Sequence, residues 1–368
     1  MRKYLYDLAL LHTKTVGPVA MRTLLEEFGS AEEILTTSSE DLLKRGVRQN
    51  IVAQLKGGAN MIAAEKTLDI CNKTKVKILV RGSSPGYPEL LNECYDAPHI
   101  LFQCGEVNLN DYRCVSVVGT RRATKEGLES TDSVVKELAD SYGDIMIISG
   151  LAFGIDKAAH CAALKNNVPT VAFLPGWVLD ITPRSHIELA REIVRSGGAI
   201  ISDMPPGTVV ARGNFLSRNR LIAGVSAATI VIESPDKGGS TNTATIASSY
   251  SRTVFALPGR SADVNSYGTN MLIKTSKAIL YQDCGDLAAE MGWTRRNIKE
   301  KTEREIDELS QNLREVYDVI KEDELITLDE ISLRSKLVVG VTCSSLIHLE
   351  SKGFIKSIPG GLYMRLKY

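Results

Sequence analysis

The chain has 368 residues, too many for one ordinary domain, and its 43% apolar and 24% charged residues are those of a globular protein with a real core. Lys plus Arg equals Asp plus Glu at 44 each, which excludes a global field drawing the chain to nucleic acid, so any polyanion site must concentrate charge locally. Seven scattered cysteines without a Cys-x-x-Cys pair exclude a disulfide framework and read as buried reduced thiols of a cytoplasmic protein.

The first apolar stretch is broken by Asp7, and no window approaches the roughly 18 uninterrupted apolar residues of a membrane span, so neither a signal peptide nor a span is expected. Residues 1–70 read as a helical domain. Leu5, Leu8, Ala9 and Leu11 form one apolar stripe and Met21, Leu24, Leu25 and Phe28 another, separated by the turn Thr15-Val16-Gly17-Pro18. Helix, glycine turn, helix is the layout of SAM-like and helix-hairpin-helix modules. The turn amides of such a module can hold a phosphate, although plain helical bundles use the same turn for docking.

From residue 75 the period changes, and residues 75–290 read as one α/β domain. Val76–Val80 is a strand, and Ser83-Ser84-Pro85-Gly86-Tyr87-Pro88 a loop. Three units of apolar strand, glycine turn and helix follow. Cys114–Val118 leads through Gly119-Thr120-Arg121-Arg122 to a helix from about Thr124. Ile145–Ile148 leads through residues 149–156 to Lys157–Leu164. Thr229–Ile232 leads through Glu233–Gly239 to a helix near Ser240. Thr170–Leu174, Ala199–Ser202 and Val254–Leu257 are further strands. Apolar strands alternating with helices imply an extended Rossmann-like parallel sheet covered on both faces, with ligands beyond the carboxyl ends of its strands, where all three glycine turns fall.

Residues 286–308 are charge-rich and read as a linker or linker helix, and residues 306–368 as a separate unit. Helices are expected around Leu309–Ile320, Leu328–Arg334 and Val341–Ser351, followed by a hairpin of Phe354–Ile358 and Leu362–Leu366, which together make a winged helix.

Residues 204–260 carry six bases (Arg212, Arg218, Arg220, Lys237, Arg252, Arg260) against two acids (Glu233, Asp236). Gly119-Thr120-Arg121-Arg122 reads as a phosphate cradle: glycine permits close approach, the helix start supplies free N–H groups, and the arginines add charge in fork geometry. Ser149-Gly150 opens a second turn, in which Asp156 is mainly a brace. The stretch from Arg212 through Asn214, Phe215 and Arg218 to Arg220, read as preceding an apolar helix at Leu221, combines backbone-tracking arginines with a ring able to stack on a base. Gly239, Ser240 and Thr241 open a helix with anion-binding chemistry. Neither GxGxxG nor GxxxxGK[ST] is present, so no nicotinamide or nucleoside triphosphate cofactor is expected. No two of the five histidines, nor any histidine and cysteine, are spaced as a metal site, and no Ser-His-Asp arrangement stands out. His160 reads as a packed helical residue.

On these residues the chain resembles the DprA (Smf) family of bacterial DNA-processing proteins along nearly its whole length. The match includes Val16-Gly17-Pro18, Pro85-Gly86-Tyr87-Pro88, Val117 to Arg122, Ser149 to His160, Gly213-Asn214-Phe215 with Arg218-Asn219-Arg220, and Phe255 to Gly259. The resemblance implies a non-enzymatic protein that binds and protects single-stranded DNA and helps load the RecA recombinase during natural transformation. It also implies a homodimer built near Met271–Ala289, and a DNA pocket using an arginine of the Gly119 loop, Arg212 and Phe215. Phe153 stands where the family usually has a basic residue. The other reading is a small-molecule enzyme resembling nucleoside-monophosphate phosphoribohydrolases at Gly238-Gly239-Ser240-Thr241. Those enzymes place a catalytic Glu just after the glycines, where Thr241–Thr245 carries no carboxylate.

Overall fold

The computed structural model describes residues 2–296, 309–321, 324–352 and 354–366. The chain divides into two compact units, Met1–Thr294 and Arg295–Tyr368. The first begins with α1 (Leu5–Leu11), α2 (Pro18–Phe28), α3 (Ala31–Thr36), α4 (Ser39–Lys44), α5 (Gln49–Lys56) and α6 (Ala59–Thr74). Pro18 occupies the first turn of α2, and the Ser30 and Ser38 hydroxyls each accept a backbone N–H at 3.1 Å to cap α3 and α4. Leu10, Met21, Leu24, Phe28, Ile34, Leu42 and Leu55 share one core. Leu8, Leu68 and Cys71 instead join a second core with sheet residues, so α1 is buried on two sides.

The sheet strands are β1 (Lys77–Val80), β2 (Ile100–Cys104), β3 (Arg113–Val118), β4 (Ile145–Ser149), β5 (Thr170–Phe173), β6 (Ala199–Ser202), β7 (Ala228–Val231), β8 (Thr253–Ala256) and β9 (Ile279–Leu280). Their order is β1-β2-β6-β5-β4-β3-β7-β8-β9. Every pairing from β6 across to β9 is parallel, whereas β2 is antiparallel to both neighbours. The parallel sheet expected from the sequence is thus present from β6 to β9, and one edge adds to it. There β2, unassigned in the sequence reading because no glycine turn and helix follow its pattern, brings β1 into the sheet. At the other edge, β9 has too few residues for any periodicity to reveal it.

Connecting helices are α7 (Glu89–Glu93), α8 (Lys125–Ser141), α9 (Ile155–Lys165), α10 (Ile187–Arg195), α11 (Arg212–Val225), α12 (Gly239–Ser249), α13 (Tyr267–Lys274) and α14 (Cys284–Met291). Side chains alternate across the strands. Cys114, Val118, Met146 and Ile148 pack with Leu221 and Ile222 of α11 and Ala244 of α12, while Val115, Val117, Ile145 and Ile147 pack with Val135 of α8 and Ala159 of α9. Both sheet faces are therefore covered, and truncating a fully buried member such as Ile147 to alanine costs about 2–5 kcal/mol. The linker expected from residue 286 is corrected in its first part. Asp286–Met291 completes α14, whose Leu287 is fully buried in the sheet core, while residues 297–308 lie outside the described residues. All seven cysteines are free thiols.

The second unit contains α15 (Gln311–Val319), β10 (Ile326–Thr327), α16 (Leu328–Ser335), α17 (Val339–Ser351), β11 (Ile355–Ile358) and β12 (Leu362–Arg365). Its strands form an antiparallel sheet in the order β10-β12-β11. Thr327 and Glu330 cap α16 reciprocally, and Val316, Ile331, Leu346, Leu349 and Phe354 fill the core. Among the described residues no helix is long and apolar enough to cross a membrane.

Candidate nucleic-acid interface

Strand β3 has β4 on one side and β7 on the other; the chain runs from β3 through α8 to β4 and later crosses from β6 through α11 to β7, so the strand order reverses beside β3 and opens a crevice at its carboxyl end. The turns after β3 and β7 form two walls there. Helix α11, which carries the chain from β6 across to β7, forms a third. They enclose a cleft of about 900 Å³. Of the residues expected from the sequence, Gly119, Thr120, Arg121, Arg122, Arg212, Phe215, Arg218, Gly239 and Ser240 line it together.

Close backbone approach holds the walls in place. Gly154 has φ +73°, and a Cβ there would lie 2.2 Å from the Thr120 carbonyl, so only glycine lets the start of α9 nest under the arginine loop. The Ile155 N–H then donates to the Thr120 carbonyl at 3.2 Å. Above this turn the Arg121 guanidinium lies 4.9 Å from the centroid of the half-buried Phe215 ring. Arg121, Arg122, Arg212 and Lys237 are exposed at the cleft.

On the floor, Arg218 is only 3% exposed and faces the buried carboxylate of Asp156, Nη1 to Oδ2 at 3.7 Å. Burial pushes the Asp156 pKa upward while Arg218 pulls against that shift. Behind the pair, His160 is fully buried, and desolvation, helped by the Arg218 charge, lowers its pKa to about 3.

Two expectations are corrected. First, Arg212–Arg220 does not precede a helix but forms the first turns of α11, which begins at Arg212. At 3.6 residues per turn Arg218 and Arg220 point to nearly opposite sides. Arg218 enters the cleft, whereas Arg220 is buried against Asp203 and donates to the Asp96 carbonyl at 2.5 Å. Second, the start of α8 is not open to a phosphate. The Glu233 carboxylate already accepts from the Thr124 N–H at 3.0 Å and from the Thr124 hydroxyl at 2.5 Å, and Thr124 in turn caps the Gly127 N–H at 3.0 Å. A fixed carboxylate there disfavours a second anion.

The remaining expected residues lie outside the lining. The Ser149 hydroxyl is buried and donates to the Val117 carbonyl at 2.7 Å, and Gly150 makes room for Arg218. Asn214 closes the first turn of α11 by accepting the Ala211 N–H at 3.0 Å, and the Thr241 hydroxyl donates to the Gly238 carbonyl at 2.6 Å. Phe153 packs its exposed ring edge-on against His186 at 4.9 Å rather than lining the cleft. Sequence reasoning passed over Lys237 and Asn219 as lining residues; a base directly before a glycine-opened helix was the available signal for Lys237.

The model of the family described as DNA recombination-mediator protein A matches residues 78–292. Protein Smf of Synechocystis is 28% identical over 396 aligned residues that cover 98% of each chain. The structure of DNA processing protein A from Streptococcus pneumoniae is similar with a TM-score of 0.68 and 29% identity, over 78% of this chain and 97% of that one. DNA processing protein A from Helicobacter pylori, whose structure is described for its unique single-stranded DNA binding mode, is similar with a TM-score of 0.52 and 28% identity, over 59% and 95%. With the family match spanning the sheet and every wall of the cleft, the chain belongs to the DNA recombination-mediator protein A (DprA) family.

Proposed function

We propose that this recombination mediator binds single-stranded DNA in the cleft at the β3–β7 crevice, protects the strand, and delivers it to the RecA recombinase during natural transformation. The observation that carries the reading is the pairing of a half-buried aromatic ring, Phe215, with the guanidinium of Arg121, beside the exposed Arg122, Arg212 and Lys237 in a chain of zero net charge. Cations track phosphates of any sequence, and a ring stacks on any base, so the combination favours unpaired strands without reading their sequence.

The protein acts by binding rather than by turnover. Among the described residues the one carboxylate lining the cleft, Asp156, is buried against Arg218, and Glu233 is committed to capping α8. A homodimer through Met271–Ala289, on α13 and α14, and a winged-helix role for residues 306–368 belong to the same reading. The exposed positions of α17 include Ser344, Ile347 and His348 but no arginine or lysine, which favours a protein contact over duplex reading by that helix.

The test is fluorescence anisotropy of labelled oligo-dT, single-stranded and as duplex, at two salt concentrations. Salt-sensitive preference for the single strand, weakened in Arg212→Ala and Phe215→Ala, is expected. Equal binding by all three proteins would move the DNA site out of the cleft.

A further inference from the structure

We propose that the floor of the cleft is a subsite for one phosphomonoester group. The protein would thereby hold a nucleoside 5′-phosphate, either a free mononucleotide or the phosphorylated end of a strand. This rests on reading the cleft as the strand-binding site. Three observations carry it.

The first is Arg218. Although 3% exposed, it has no hydrogen-bond partner at Nε or Nη1 among the described residues, and it lines the cleft. Its carboxylate neighbour stands 3.7 Å away, near enough to fix the guanidinium but too far to satisfy it. Buried guanidinium donors without acceptors are costly, so the Arg218 charge is under-satisfied from within the fold, and an anion in the cleft that this residue lines would stabilise it.

The second is α12. This helix of eleven residues opens with Gly238, Gly239 and Ser240 in the same lining, and no side chain caps it. The Ser240 hydroxyl is turned away, donating to Ser234 at 2.8 Å, so the first turn presents backbone amides. The start of α8, by contrast, is filled by Glu233. An uncapped helix start and an under-satisfied buried arginine lining one cleft suit a single anion.

The third is size and charge. Among the described residues Arg121, Arg122, Arg212, Arg218 and Lys237 line the cleft against the single carboxylate of Asp156, which favours a dianion over a monoanion. A diester inside a strand carries a sugar on each side and needs room to enter and leave. A terminal phosphomonoester needs only one opening to reach a group as deep as Arg218. A cleft of about 900 Å³ lies within the range of small-molecule sites, which leaves space for the nucleoside beside Phe215.

The full-length protein is titrated calorimetrically with dTMP, thymidine and inorganic phosphate. In parallel, anisotropy compares oligo-dT bearing a 5′-phosphate or a 5′-hydroxyl, with dTMP as competitor. We expect dTMP to bind where thymidine does not, and a strand carrying the phosphate to bind about tenfold tighter, as charge-assisted hydrogen bonds require. A gain with dTMP alone identifies the free mononucleotide as the source of the group; a gain at the phosphorylated end identifies the strand.

Gly239→Pro removes one amide at the first helical position, where proline is at home and where a Cβ meets nothing within 4 Å. It should weaken dTMP binding several-fold without unfolding the protein, whereas Arg218→Lys, which keeps charge and loses the fork, should weaken it more. If Arg218→Lys fails to fold, Gly239→Pro decides alone. Binding of dTMP no better than thymidine, with both strand ends bound equally, overturns the subsite and leaves strand binding intact. Binding of dTMP without any strand binding keeps the subsite and removes the strand reading.

Discussion

A Cβ placed on Gly150 would lie 1.1 Å from Nη1 of Arg218. The guanidinium passes directly over the backbone of the β4–α9 turn, which is why the Ser149-Gly150 motif and the Arg218-Asn219-Arg220 motif, far apart in the chain, belong to one piece of architecture. Gly150→Ala must expel the guanidinium from its place beside Asp156. Breaking a buried pair of this kind costs about 3–5 kcal/mol. Urea unfolding should show that loss in the midpoint, and an unchanged midpoint would mean the turn yields instead.

The ring and the base at the cleft act through different physics, so their variants separate. Phe215→Ala should weaken oligo-dT binding by about 1–3 kcal/mol for each base it stacks, leaving the salt dependence unaltered. Arg212→Ala should lower the slope of log affinity against log salt by about 0.7, the share of one released counterion on a single strand. Anisotropy across a salt series reads both. Identical salt slopes in wild type and Arg212→Ala would take Arg212 off the phosphate path.

Arg220 lies in the same motif as Arg218 and does a different job. With its guanidinium buried between Asp203 and the Asp96 carbonyl, Arg220→Ala should destabilise the fold by about 3–5 kcal/mol while leaving the affinity of the folded protein for oligo-dT within about twofold. Chemical denaturation and anisotropy on the same preparation check the two halves. A specific loss of binding with stability intact would place Arg220 at the strand.

His160 makes stability depend on pH. Its Nδ1 lies 2.7 Å from the Thr170 hydroxyl, which itself donates to the Ile147 carbonyl at 2.7 Å, so Nδ1 carries the proton and the buried Nε2 is bare. The folded pKa of about 3 lies below the ordinary 6.5. Below pH 6.5 the unfolded chain takes up a proton that the folded one refuses. Stability is therefore fully present above pH 6.5 and declines as the pH falls toward 3, by about 1.4 kcal/mol per pH unit. Between pH 6.5 and 5 the loss from this residue is about 2 kcal/mol. Other groups, including Asp156 with its raised pKa, titrate in both wild type and His160→Asn. The difference between the two proteins in urea unfolding midpoint against pH isolates the histidine, and parallel curves would show that it charges freely.

Much of this was legible in the sequence because the information was local. Strand periodicity, glycine turns and helix caps are written within a few residues, so β3 with Gly119, β4 with Ser149 and β7 with the Glu233 turn could be read in order, and the convergence of their turns on one edge followed from the parallel sheet alone. Arg121, Arg212 and Phe215 stand out because charge and aromatic character are visible in any context, and the structure sets them on one cleft. What needed the tertiary structure was pairing at a distance. The pattern of Ile100–Cys104 looks like any short apolar run until β6 lies antiparallel to it. Glu233 reads as a loop acid until it is seen closing the start of α8. Arg218 and Arg220 are the same residue type two positions apart, and composition treats them alike; only the turn of α11, setting one over Gly150 and the other against Asp203, decides which of them lines the cleft.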